Sequence, residues 1–325
     1  MKRLLILTCL LLIGVTSCQD DYMVEAIEEK PVGRIAFMSW EDGIMNSGIY
    51  TINPDGTGKK RLTAGLMPLW SPDAKQILFI SNDFNELRVI NADGTGERKI
   101  FSIPERFWPV SLRWATSGKI VTLLQSWEPD VQRGIYTINV DGSYSFMQFL
   151  DDIYDRDFTF SPDGKKIAYF ALLVEGDFES NFGLYVSNLD GTGKVKIRDN
   201  INVLGVQFLA WSPDGSLIAY ARGIIGSDGT GRIEVDRFEL PSWSPNGRKL
   251  VAKRDDSVFF LNADGTGETQ ISTPDDVFLR DFSWSPDAQR IVCWCQDDNI
   301  IYILNIDGSS PTKLDYGILP QWSSR

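Results

Sequence analysis

The chain has 325 residues, 43% of them hydrophobic, a net charge of −12 and no histidine. Its length would suit two average domains and its apolar fraction is ample for a core, while the negative balance argues against nucleic acid and anionic membrane surfaces as partners. Without histidine there is no Ser-His-Asp or Cys-His nucleophile system, no histidine general base and no His-ligated zinc, which leaves carboxylates, lysine or tyrosine for any catalysis.

The first elements are an address. Met1-Lys2-Arg3 is a charged start, residues 4–15 (LLILTCLLLIGV) are apolar but too short to span a bilayer comfortably, and Val15-Thr16-Ser17-Cys18 is a small-residue cleavage site. It resembles the bacterial lipobox, which implies a signal peptide over residues 1–17 and a diacylated Cys18 as the first mature residue. An ordinary signal peptide with an incidental cysteine is the alternative. Gln19 does not resemble the aspartate that retains lipoproteins in the inner membrane, so the expected address is the outer membrane, reached through the lipid anchor only. Asp20 and Asp21 resemble the surface-export signals of some envelope lineages; the periplasmic or cell-surface face stays open. Loss of Lys2 and Arg3 with the signal takes the charge from −12 to −14, and residues 18–32 read as an acidic, disordered tether.

Residues 34–39 (RIAFMS) then read as a strand with no strand before it, and GIYTINPDGTG (48–58) as a second strand ending on Asn and an Asp-Gly turn. LWSPDAKQIL (69–78) opens a unit that returns as WATSGKIVTL (114–123), FSPDGKKIAY (160–169), WSPDGSLIAY (211–220), WSPNGRKLVA (243–252) and WSPDAQRIVC (284–293), before a bare WSSR at 322–325. Between these stand LRVINADGTG (87–96), GIYTINVDGS (134–143), GLYVSNLDGTG (183–193), VFFLNADGTG (258–267) and IYILNIDGSS (301–310). Ser-Pro-Asp-Gly is hairpin chemistry: proline pre-sets φ, aspartate caps the turn's own backbone, and glycine accepts the positive φ that follows. The runs after each turn are apolar at every position, as in strands buried on both faces.

The unit is therefore four antiparallel strands, a to d, with constant turns between a and b and between c and d. The anchors Trp70, Trp114, Phe160, Trp211, Trp243, Trp284 and Trp322 lie 44, 46, 51, 32, 41 and 38 residues apart. Four-stranded units of this length are propeller blades around a central channel. The prediction is an all-β chain folded as a single β-propeller of seven blades, with six as the alternative. The terminal strand supplies strand a of the first blade and closes the ring, leaving no open sheet edge. Only 17 residues separate Trp211 from Asp228, against 21 to 30 in the other complete blades, so that blade is expected to be reduced, with b and c merged. Ser-Pro-Asp-Gly paired with Asn-x-Asp-Gly-Thr-Gly over residues 33–325 resembles the TolB-like propeller repeat family. That resemblance implies the fold and not the function, since the family includes partner-binding proteins and propellers attached to peptidase domains. The chain ends with its last blade, so no attached catalytic domain is expected.

In such a ring the a–b and c–d turns emerge on one face, the b–c and d–a loops on the other. The first face repeats nearly identical turns. Each offers one acid, too few for a calcium loop, so no metal or cofactor is expected. Cys293 and Cys295 share one strand face, where a disulfide would be strained, and Cys293 falls in the column of Phe37, Phe79, Tyr169 and Tyr220, as a small buried hydrophobe would. The second face is variable, and its loops mix acids with Trp40, Trp108, Trp127, Tyr154 and Phe178. Arg156-Asp157 and Arg280-Asp281 recur at the heads of two strands a, near the expected channel mouth. Each such pair either satisfies itself or orients a ligand. Two functions follow. The preferred one is a lipid-anchored binding or scaffold module that takes an envelope protein or glycan on the variable face. The alternative is a carboxylate-based glycoside hydrolase or lyase at the channel mouth.

Overall fold

Each Ser-Pro-Asp turn is closed by its own side chains. After Trp70, Ser71 Oγ donates to Asp73 Oδ1 (2.7 Å) and accepts the backbone N–H of Lys75 (3.1 Å) and Gln76 (2.9 Å). Ser161 with Asp163, Ser212 with Asp214 and Ser285 with Asp287 repeat the pattern, and Asn246 replaces the acid beside Ser244. The c–d turn works similarly: Asp55 Oδ1 accepts both the N–H (2.8 Å) and the hydroxyl (2.6 Å) of Thr57. Gly56 follows at a φ of 82°, which a side chain would strain. The Thr57 bonds hold the Asp55 carboxyl below its usual range, and Asp93, Asp190, Asp228 and Asp264 behave alike. These acids are committed to turns.

The computed structural model describes residues 33–40, 47–126, 134–148, 153–172, 182–201, 208–274 and 278–325, all within one compact unit, Pro31–Arg325. The described residues form seven four-stranded antiparallel sheets and no helix. Blade 1 orders its strands as Ile318–Trp322, Ile35–Ser39, Gly48–Ile52 and Lys60–Ala64. Strands a of blades 2 to 7 are Leu66–Trp70, Phe107–Trp114, Ile153–Phe160, Ala210–Trp211, Glu239–Trp243 and Leu279–Trp284, each followed by its own b, c and d. The seven a strands touch one another in ring order, and the strand of blade 7 meets that of blade 1, so they form the innermost circle. This is a closed seven-bladed propeller; the six-bladed alternative falls away.

Every anchor pairs with a fully buried residue of strand b: Trp322 with Ile35, Trp70 with Ile77, Trp114 with Ile120, Phe160 with Ile167, Trp211 with Ile218, Trp243 with Leu250 and Trp284 with Ile291. The apolar core divides by interface and not by blade. Phe37 packs with Ile301 and Ile303 of blade 7, Phe79 with Ile49 of blade 1, and Cys293 with Val251 and Phe260 of blade 6. Cys293 and Cys295 are free thiols in that core, and burial pushes the Cys293 thiol well up.

The choice of tryptophan has a further cause. Trp70 Nε1 donates to the Gln321 carbonyl (3.1 Å), Trp211 Nε1 to Thr159 (3.2 Å), Trp243 Nε1 to Ala210 (3.0 Å) and Trp284 Nε1 to Ser242 (2.9 Å). In each case the acceptor directly precedes the anchor of the previous blade, so the indoles staple neighbouring a strands together. Phe160 has no N–H with which to do this.

Blade 5 corrects one expectation. Its b and c strands are not merged: Leu217–Tyr220 and Gly223–Gly226 are a hairpin joined by Ala221 and Arg222. The glycines make the short blade possible. A Cβ at Gly223 would lie 2.5 Å from the Ile233 carbonyl oxygen, and one at Gly226 would lie 2.8 Å from that of Thr230. The blade is thin because strands a and d span two residues each, Ala210–Trp211 and Ile233–Glu234.

Candidate functional site

Strand a carries a kink that aims side chains near the channel mouth. Three residues before the anchor, Met67, Leu240, Asp281 and Leu319 take positive φ values of 54°, 51°, 54° and 52°. The pairing with strand b slips at the same place in each of these four blades. Such bulges re-aim a side chain, and their recurrence makes them part of the repeat. In three blades the kinked residue is apolar and precedes a proline. In blade 7 it is an acid.

Asp281 accepts a hydrogen bond from Trp294 Nε1, on the neighbouring strand b. Burial pushes the Asp281 carboxyl above its ordinary value, opposed by the Trp294 bond and the charge of Arg280. Arg280 turns elsewhere: its Nε donates to Gln296 Oε1, and its guanidinium lies 4.9 Å from the centre of the Phe278 ring. The expected mutual satisfaction of Arg280 and Asp281 is thus corrected. The bulge between them gives each a different partner. Lys253 Nζ packs against the same Phe278 ring, buried and without a hydrogen bond. Burial pushes its ammonium down, while Asp256, Glu239 and Asp297 oppose the shift and Arg280 adds to it. Phe278 therefore carries a cation on each of two contacts, an arrangement that stabilises charge away from water.

Of the other expected residues, Trp108 stands half-buried at the head of strand a of blade 3, opposite Gln125. Blade 3 is not a ring neighbour of blade 7, so Trp108 and Arg280 belong to separate parts of the mouth. Trp127 lies outside the described residues. Tyr154, Arg156 and Asp157 sit on the strand Ile153–Phe160, whose pairing slips before Phe158 much as blade 7 slips before Ser283; their side chains lie outside the described residues. An Asp157–Asp281 carboxylate pair, as a glycoside hydrolase would need, therefore has no described geometry. No cluster of potential metal ligands occurs among the described residues.

Lys253, Phe278, Trp294 and Gln296 were not expected here. Lys253 had a visible signal, because its column along strand b is otherwise apolar or aromatic in Met38, Ile80, Leu123, Phe170 and Trp294.

No family model and no curated protein matches the chain. Solved structures do. TolB from Acinetobacter baumannii is 16% identical at a TM-score of 0.51, over 90% of this chain and 67% of that one. An oligogalacturonate lyase from Vibrio parahaemolyticus is 16% identical at 0.58, over 84% of this chain and 86% of that one. A puromycin hydrolase is 11% identical at 0.61, over 88% of this chain, which spans only 53% of the hydrolase. At these identities the likeness is one of fold. By strand order, ring closure and these likenesses, the chain is a seven-bladed β-propeller of the TolB-like fold.

Proposed function

We propose that this propeller is a binding module of the cell envelope, tied to the outer membrane through lipid on Cys18, which takes a partner protein or a glycan on its variable face. The observation that carries the reading is the group at the head of blade 7. There Arg280 and Lys253 share the Phe278 ring, and Asp281 is held on a kinked strand in a setting that resists its ionisation. Polarised, half-buried groups on aromatic area are what recognition uses, and the opposite face offers only repeated turns whose acids are already bonded. The lipobox-like Val15-Thr16-Ser17-Cys18 supports the envelope placement.

The test begins with a ligand recovered by pull-down from envelope extract or on a glycan array. Trp108→Ala, Trp127→Ala and Arg280→Ala should each weaken it at least tenfold with the melting temperature unchanged. Loss of one tryptophan face removes about 1.5–3 kcal/mol, and 1.4 kcal/mol is a factor of about ten. Asp73→Asn and Asp264→Asn, in the constant turns, should leave affinity alone. Turn variants that lose the ligand while the tryptophan variants keep it would move the site to the other face. Separately, Cys18→Ser should leave the membrane fraction or accumulate as precursor; a variant processed and fractionating like the parent would remove the anchor from the proposal.

A further inference from the structure

The other end of the channel holds a second concavity, on the face of the a–b turns. A cavity of about 420 Å³ lies between the ends of strands a in blades 3 to 6, with Arg113, Thr159, Ser242, Leu209, Trp211 and Trp243 on its walls. Arg113 occupies the position just before the blade 3 anchor. The matching residues of the other blades are Gln321, Leu69, Thr159, Ala210, Ser242 and Ser283, so this circle contains one charge.

That charge has nothing to bind. Arg113 Nε is buried without an acceptor, and the side chain makes no hydrogen bond or ion pair among the described residues. The acid that acts on it through space, Asp163, is already held by Ser161 Oγ (2.6 Å) and the Lys165 N–H (3.1 Å). Guanidinium does not give up its proton in proteins, and an ionised group taken from water without a partner is costly. The Thr159 and Ser242 hydroxyls on the same wall are likewise without hydrogen-bond partners among the described residues, although both backbone carbonyls are taken by indole N–H groups. The walls thus present a planar cationic fork and two hydroxyl donors, with leucine, proline and tryptophan beside them.

We infer that this pocket binds a small organic carboxylate, its two oxygens on the fork of Arg113 and the hydroxyls of Thr159 and Ser242, and its apolar body against Leu209, Trp211 and Trp243. Fork geometry suits a planar carboxylate, and the volume suits a small molecule. One cation in a chain of net charge −12 matches a monoanion; a dianionic phosphate would bring an unpaired charge. The site is on the opposite face from the one proposed above and does not rest on that reading.

The test is thermal unfolding and titration calorimetry of the full mature protein with sodium benzoate, sodium acetate, sodium phosphate and sodium chloride at equal ionic strength. Benzoate should raise the melting temperature most and acetate less, and phosphate should act no more strongly than chloride, since ligand bound to the native state alone stabilises it. Arg113→Met should bind benzoate at least tenfold more weakly, and Arg113→Lys should bind with intermediate affinity. Without ligand, Arg113→Met should melt no lower than the parent, because it removes a charge that had no partner. Benzoate acting no more than chloride, or acting equally on parent and Arg113→Met, overturns the assignment. So does a lower unliganded melting temperature for Arg113→Met with no benzoate response in the parent, which would make Arg113 a structural residue.

Discussion

Removal of residues 319–325 is expected to leave a protein without a cooperative thermal transition. The strand Ile318–Trp322 pairs with Ile35–Ser39 and is strand a of blade 1. Trp322 is 5% exposed in the interface core with Val292, Ile301 and Ile303, and loss of such a side chain costs about 3–5 kcal/mol. The deletion also removes the Gln321 carbonyl that accepts Trp70 Nε1 and the two bonds, each 2.8 Å, that join Ser323 to Arg34. At about 1 kcal/mol for each net hydrogen bond, before any cost of the opened ring, the sum rivals the 5–15 kcal/mol that holds a typical domain together. Scanning calorimetry decides it, and a truncated protein with the parent's midpoint would mean that this strand does not close the ring.

The second large effect is expected at Trp243. Its ring fills the interface between blades 5 and 6 with Ala219, Ile224, Leu250 and Phe259, and its Nε1 reaches the Ala210 carbonyl at 3.0 Å. Blade 5 brings short strands to that interface, so the indole supplies a large share of what the two blades bury. Trp243→Ala should cost about 3–5 kcal/mol in urea unfolding. Trp243→Phe keeps most of the area and loses the staple, which should cost about 1 kcal/mol. The chain already contains that substitution at Phe160, where packing suffices without the bond. Equal losses for the two variants would assign the effect to the hydrogen bond and contradict the packing account.

Turn chemistry made the architecture legible. Ser-Pro-Asp-Gly and Asn-x-Asp-Gly act within five residues, so their meaning survives without a structure, and their spacing carries the blade count. Blade 5 was misread because 17 residues look too few for two strands and a turn. Gly223 and Gly226, with no Cβ to hold the strands apart, allow it. At the channel mouth the recurrence of Arg-Asp before an anchor pointed to Arg280 and Asp281, but not to their partners. Those partners come from strand b and from the next blade. Lys253 and Phe278 meet across 25 positions of sequence, and no local pattern records the pairing. The same holds for the indole staples, whose acceptors are backbone carbonyls of the preceding blade and leave no trace in composition.

The closure of blade 1 also sets a timetable. Ile35–Ser39 is among the first strands to leave the site of synthesis, and its partner Ile318–Trp322 is among the last. At about 5–20 residues per second, the two are separated by on the order of 15–60 s. Throughout that interval one edge of an apolar strand, all five of whose residues are buried in the finished ring, has no neighbour of its own chain. Unpaired edges of that kind recruit other chains. The newborn protein is therefore most vulnerable to aggregation at its beginning, and remains so until its final residues arrive.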